Sequence, residues 1–448
     1  MKLWNIAALG VWSGLAVGWT AGIGGVRAAE TNAESQMRLL QQQNDALQAQ
    51  VRKQQELIES LGREVAEIRQ TNEKRDAAVE QLKEGSGSRE PYSATAPGGF
   101  NLGKVQITGE GGVAFLESGS DGNYPNSEFR VSEARLFIDA PVWGDVYAFG
   151  EVNLATPESD SLNVKLGELY VDFEDVSQLW GHDRQLNVRA GRMYVPFGDE
   201  YLRRHAIDNP LVSDSLSDIW GVDEGVELYG SFGKFSYAGA VMNGGVPATH
   251  DFDADKALTL RLSYDPKPWL HFSLSGMRTG DLNAQEDYFS ELWFGNWWFQ
   301  SLGSSNTTEF HANLFEGDIG VRLPRGYLHA FGGYVYYGDN DPAGHNGRDV
   351  YYYCVEAVHD ITRKLYAAGR FSQILAAKGF AIVGNGNAEY SGPTTLTTDL
   401  WLLSVGLGYR FSKNLVIKME YSFEQGKELG GEVRKHENLF ATQAAFAF

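Results

Sequence analysis

The chain has 448 residues, a formal net charge of −20, 52 glycines, 13 prolines, a single cysteine and 12% aromatic residues. So acidic a chain lacks the basic footprint that nucleic-acid binding needs, and a lone Cys354 rules out an intrachain disulfide framework or a thiolate metal cluster. Abundant glycine and aromatic residues with a negative mean hydropathy fit a turn-rich β protein in which only alternate residues are apolar. The length suits one large β architecture or roughly two or three ordinary domains.

Residues 1–28 read as a signal peptide: Lys2, an uncharged run from Leu3 to Val26, then Val26-Arg27-Ala28 as a cleavage site. The run is also long enough to be an uncleaved anchor. Beyond it no apolar stretch reaches helix-spanning length, so any deeper insertion is by strands.

Residues 29–84 predict a coiled coil. Heptad a positions fall on Met37, Asn44, Val51, Ile58, Val65, Asn72 and Val79, and d positions on Leu40, Leu47, Gln54, Leu61, Ile68, Arg75 and Leu82. Asn44 and Asn72 would set register, and Glu64 at g can pair with Arg69 at e of a neighbour. So polar a helix needs copies of itself. β-branched a residues with Leu at d lean toward two strands. Residues 85–103, with Gly85-Ser86-Gly87-Ser88 and Pro97-Gly98-Gly99, read as a flexible linker.

From 104 to 448 the period is two. Strand candidates are 104–117, 127–140, 145–155, 164–173, 185–194, 222–230, 234–242, 257–264, 270–278, 311–323, 327–338, 350–359, 364–375, 399–411, 415–424 and 438–448. They number sixteen, each near the roughly ten residues that a tilted strand needs to cross an outer membrane. Connections after even strands are short turns, at 141–144, 231–233, 265–269, 324–326, 360–363 and 412–414, the one after the fourth being longer. Those after odd strands are long, above all 195–221, 279–310 and 376–398. Such asymmetry belongs to all-β antiparallel transmembrane barrels, and an even count leaves the coiled coil on the short-turn, periplasmic side.

Facing follows from the pleat. Leu403, Val405, Leu407 and Tyr409 would meet lipid while Ser404, Gly406 and Arg410 face inward, and Ile417, Met419 and Tyr421 oppose Lys418 and Glu420. The inner face so derived carries both signs, including Glu133, Arg135, Glu168, Asp172, Arg189, Glu227, Arg261, Asp318 and Arg322. Charges on that scale face water or each other. Trp143, Phe232, Trp269, Tyr409 and Phe448 suit interfacial girdles.

The chain resembles the sixteen-stranded, trimeric porins of Gram-negative outer membranes. The final segment 439–448 alternates apolar residues and ends on Phe448, like the family's assembly signal; Arg192-Met193-Tyr194-Val195-Pro196-Phe197-Gly198 opens the third long loop as a strand end opens the family's constriction loop. A coiled coil ahead of the barrel is closest to the phosphate-selective subgroup. The resemblance implies a homotrimer in outer-membrane lipid that passes small hydrophilic or charged solutes passively, without a cofactor. Three strands for the coil would follow, against the two its heptads favour, and the coil would meet a periplasmic or cell-wall partner. Phosphate selectivity would need basic ladders, whereas the inward arginines here alternate with acids.

The candidate constriction is loop 195–221, with Asp199, Glu200, Arg203, Arg204, His205, Asp208, Asp214 and Asp218. Opposed to Arg135, Arg189, Arg261, Arg322, Arg370 and Arg410 on the wall, they would set a transverse field that orders polar solutes. Ordinary solvated loop charges are the plain alternative. Rings at Tyr288, Phe289, Trp293, Phe294, Trp297, Trp298 and Phe299 suit packing better than sugar stacking. A barrel serving mainly as anchor for a periplasmic tether is the second functional reading. An outer-membrane hydrolase is the third, although the nine histidines fall in no G-x-S-x-G or H-E-x-x-H context.

Overall fold

A computed structural model of the protein describes residues 100–102, 104–156, 164–216, 219, 221–244, 251, 253–286, 298–299, 306–382, 384 and 396–448. The signal peptide, the coiled coil and most of the linker lie outside the described residues.

Sixteen long strands and three short pieces make one antiparallel sheet. In chain order they are β1 (Val105–Ser118), β2 (Glu128–Trp143), β3 (Val146–Ala155), β4 (Lys165–Phe173), β5 (Asn187–Tyr194), β6 (Val222–Phe232), β7 (Phe235–Met242) and β8 (Ala257–Lys267). There follow β9 (Leu270–Arg278), β10 (Glu309–Leu323), β11 (Gly326–Asp339), β12 (Arg348–Asp360), β13 (Leu365–Phe380), β14 (Thr397–Ser412), β15 (Leu415–Glu428) and β16 (Leu439–Ala447). Each pairs with its sequence neighbours, and β16 pairs with β1 from Leu439 opposite Ser118 to Ala447 opposite Glu110. That last ladder closes the sheet into a barrel and leaves no unpaired edge.

At the seam, Phe448 and Gly109 exchange backbone hydrogen bonds of 2.8 and 3.1 Å. A Cβ at Gly109 would lie 2.5 Å from the Phe448 ring, so glycine there lets the ring lie flat on β1.

All sixteen expected strands form, with ends shifted by a few residues. The largest shift is at β13, which runs on to Phe380, and two prolines expected in turns lie in strands instead. Pro141 sits in β2 opposite Tyr147, just before a bulge at Trp143, and Pro266 sits in β8. Both lie at strand ends, where a missing N–H interrupts little of the ladder.

Alternation separates the two faces. β15 reads exposed and buried in strict turn, with Ile417, Met419, Tyr421 and Phe423 outward and Lys418, Glu420, Ser422 and Glu424 inward. Val226, Leu228, Leu258, Leu260, Leu274, Phe315, Val355, Leu403, Val405 and Leu407 carry the exposed apolar belt around the barrel. An apolar band of this kind is rare on soluble monomers and matches a lipid-facing wall. Trp143, Phe232 and Trp269 stand exposed at the short turns.

Candidate functional site

The described residues of loop 195–221, namely 195–216, 219 and 221, lie inside the barrel, held by inward side chains from opposite parts of the wall. At its root Val195 N–H donates to the Gly221 carbonyl at 3.0 Å. The chain then turns at Gly198, whose φ of +67° and whose approach to Glu316 leave no room for a Cβ, which would fall 2.1 Å from Glu316 Oε1. Gly198 N–H donates to Ser275 Oγ (3.0 Å), Thr259 Oγ1 donates to the Pro196 carbonyl (3.2 Å), and Arg261 donates to the Gly198 carbonyl (3.1 Å). Strands β8 and β9 thus fix the first limb.

Asp199 is bonded by His271 Nε2 at 2.9 Å and faces Arg261 at 3.5 Å, and Asp265 holds the other nitrogen of His271 at 2.8 Å. Burial opposes ionisation of Asp199, but the His271 hydrogen bond and the Arg261 charge outweigh it and keep the carboxyl below the usual range.

The middle of the loop crosses to β1, β2, β13 and β15. His205 Nδ1 bonds Glu110, and Ala206 N–H donates to Glu133 Oε2 at 2.7 Å. Burial holds the His205 imidazole neutral, pushing its pKa down to about 3. Arg135 bridges this region, 2.9 Å from Glu133, with a hydrogen bond to Tyr194 Oη at 3.1 Å.

Lys418 Nζ donates to the carbonyls of Ala206 (2.8 Å), Asn209 (2.9 Å) and Leu211 (2.6 Å). Its neighbour Glu420 accepts from Val212 N–H at 2.6 Å, Ser213 N–H at 2.9 Å and the Ser213 hydroxyl. Arg370 donates to the Ser213 carbonyl (2.6 Å) and Asn209 Oδ1 (2.9 Å), and its Nε to Glu356 Oε2 (2.8 Å). Tyr366 Oη donates to the Pro210 carbonyl at 3.0 Å, and Leu216 N–H to Ser372 Oγ at 3.1 Å. A segment without regular structure can sit in a protein interior only if its backbone groups find partners. Here charged residues of the wall supply them.

The residues singled out in the sequence divide accordingly. Arg203, Arg204, Glu200 and Asp214 meet Arg370 and Glu356 around one small cleft. Arg203 is 3.7 Å from Glu356 with about a third of its side chain exposed, whereas Arg204, 3.4 Å from Asp214, is buried. Asp208 is exposed within the loop. Asp218 lies outside the described residues.

On the wall, Arg261 and Arg370 bond the loop directly, whereas Arg135 pairs with Glu133 and Tyr194 beside it. Arg189 instead sits 3.1 Å from both Asp172 and Glu227, with its guanidinium over the ring of Tyr170. Arg322 and Arg410 stand toward the short-turn end, Arg410 being 2.7 Å from Asp360. Glu110, His271 and Glu356, three of the main clamps, carry no sequence signal that marks them as such. Period two places all three on inward faces, but nothing local says which of them a loop will meet.

The long-loop end of the interior departs from the expected polar lining. Leu314, Val335, Tyr337, Val350, Ile374 and Leu400 point inward there and are buried in one apolar cluster that includes Val195 and Phe197 of the loop. Phe299 from the connection between β9 and β10 stacks on Phe310 at 4.7 Å, and Tyr337 stacks on Phe380 at 4.7 Å. Phe299 and Trp298 thus bury within their own chain; the other rings of that connection lie outside the described residues. Cys354 is buried on the inner side of β12.

No known protein-family model matches the chain, and the sequence of no curated protein matches it. Its structure is similar to solved outer-membrane proteins. The outer membrane channel DcaP of Acinetobacter baumannii aligns with 12% identity and a TM-score of 0.52 over 78% of this chain and 99% of that one. OmpT, an outer membrane protein of Vibrio cholerae, aligns with 13% identity and a TM-score of 0.51 over 78% and 100%. The chain shares the fold of these barrels. OmpF of Salmonella typhi, solved with daunomycin, aligns with 11% identity and a TM-score of 0.50 over 77% of this chain and 97% of its own.

Proposed function

We propose that this chain is an outer-membrane porin that lets small hydrophilic or charged solutes diffuse passively through a barrel narrowed by loop 195–221. The observation that carries this reading is the loop itself, whose described residues are buried inside a closed barrel with an apolar exterior and clamped by charged groups of seven strands. Rigid opposed charges at a narrow point, Arg203 and Arg370 against Glu200, Asp214 and Glu356, are the means by which such a passage orders polar solutes. The fold shared with DcaP, described as an outer membrane channel, supports it. Assembly as a homotrimer, which rests on the sequence resemblance to porins, and a cleaved signal peptide and periplasmic coiled coil, which rest on their own sequence patterns, complete the proposal.

Charge replacement tests the passage directly. Arg203→Gln with Arg204→Gln should shift the reversal potential in a planar bilayer toward cations, with most of the shift coming from the more exposed Arg203. An unchanged potential removes both from the ion path.

Acidification gives a second test. The surrounding protein, and next Glu133, raise the Asp208 carboxyl above the ordinary aspartate range, with Lys418 opposing. A raised pKa means that Asp208 takes up its proton, and loses its negative charge, at higher pH than a free aspartate. Cation preference should therefore fall as the bath is taken from about pH 7 to about pH 4. Asp208→Asn should flatten the upper part of that slope, and an identical titration in the variant places Asp208 away from the passage.

A further inference from the structure

Asp199, Asp318 and His329 converge at the root of the loop, each offering a ligand atom within 4.8 Å of the others. They come from three places in the chain, the first limb of the loop, β10 and β11. Each is more than nine-tenths buried.

The pair on the wall is unusual. Asp318 Oδ2 accepts from Ser273 Oγ at 2.7 Å, but Oδ1 and His329 Nε2 face each other at 3.6 Å and neither has a hydrogen-bond partner among the described residues. That gap is too long for a direct hydrogen bond. It is too short for one water to bridge with good geometry, since two hydrogen bonds of about 2.8 Å at a tetrahedral angle would hold the atoms roughly 4.6 Å apart. Two ligands about 2.1 Å from a tetrahedral zinc ion would stand about 3.4 Å apart.

The charges around the cluster point the same way. The acids near it are Asp199, Asp318, Glu316 and Glu200. Of the cationic groups, Arg261 and His271 are placed against Asp199, while Arg203, Arg204 and Arg370, which line the same cleft as His329, are placed against Glu356 and Asp214. Asp318 receives a hydroxyl and no ammonium or guanidinium, an arrangement that costs several kcal/mol for a buried carboxylate unless a cation joins it.

We propose that Asp199, Asp318 and His329 form a binding site for a first-row divalent transition-metal ion, with zinc the best fit. Two carboxylates and one imidazole are a borderline donor set that suits zinc better than calcium or magnesium, and three protein ligands leave a fourth position for water. The Asp265–His271 pair behind Asp199 orients that carboxylate, as outer-sphere partners do. A bound ion would staple the loop root to β10 and β11. The site does not depend on the pore reading.

The test is equilibrium dialysis of the full chain, folded in detergent and stripped with EDTA, against Zn2+ alone, with metal measured by atomic absorption. One zinc per chain is expected. Asp318→Asn and His329→Gln should each weaken binding at least about 100-fold, more than the loss of an outer-sphere partner. His359→Gln, an exposed histidine on β12, should retain it. Heat-modifiable mobility on SDS gels checks that each variant is folded. No zinc on the folded wild-type protein, or equal zinc on the folded Asp318→Asn and His329→Gln variants, overturns the site. Co2+ loaded in place of zinc should give the intense visible absorption of four-coordinate cobalt, and a weak six-coordinate spectrum overturns the geometry.

Discussion

Arg370→Ala should release the middle of the inner loop and lower the unfolding free energy by about 3–5 kcal/mol, the usual effect of removing one partner from a buried ion pair. Arg370 is the only described side chain that joins Glu356 to both the Ser213 carbonyl and Asn209. Arg370 and Glu356 are both more than nine-tenths buried. Without the guanidinium, Glu356 keeps the Tyr327 hydroxyl at 2.7 Å and the more distant Arg203. The loop backbone at Ser213 loses its strongest donor.

Two measurements report on this. The midpoint in urea should fall, and single-channel conductance should rise and become noisier as residues 206–216 leave the wall. Pairing Arg370→Gln with Glu356→Gln should recover much of the stability, because no buried charge is then left uncompensated. Wild-type conductance and midpoint in Arg370→Ala would show that Lys418 and Glu420 hold the loop unaided.

The barrel was legible because its causes are local. Period-two alternation such as Ile417, Met419 and Tyr421 against Lys418 and Glu420 needs no knowledge of partners, and turn signals such as Pro324-Arg325-Gly326 mark where a strand ends. The order of strands then follows, since neighbours joined by short turns must pair. Even the loop's inward course had a local trace, the charge-rich stretch after Pro196-Phe197-Gly198.

The individual pairings were not legible. Glu110 and His205 lie 95 positions apart and Glu420 and Ser213 lie 207 apart, so each meeting depends on the closed ring being already in place. The apolar long-loop end was missed for a related reason. On β12 both Tyr351, outside, and Tyr352, inside, are large and partly apolar, and alternation assigns facing but not what lies opposite. Loops that turn inward convert part of a bore into a packed core, and only the folded ring shows where they land.

The placement of lipid outside and charge inside is tested most severely at Val405. It lies in the middle of β14 between Gly369 of β13 and Tyr421 of β15, with Leu403 and Leu407 on the same exposed face and fully buried Ser404 beside it in the chain. Val405→Arg should destabilise the folded barrel by about 2–4 kcal/mol, the penalty for an arginine near the bilayer midplane. Val405→Leu should be nearly neutral. Folding into lipid vesicles, followed by heat-modifiable mobility and urea titration, should show the loss for arginine alone. In a water-soluble barrel the arginine would sit harmlessly on a wet surface. Equal assembly of Val405→Arg and wild type, with protein that stays in solution without detergent, would therefore contradict the membrane reading and the porin proposal built on it.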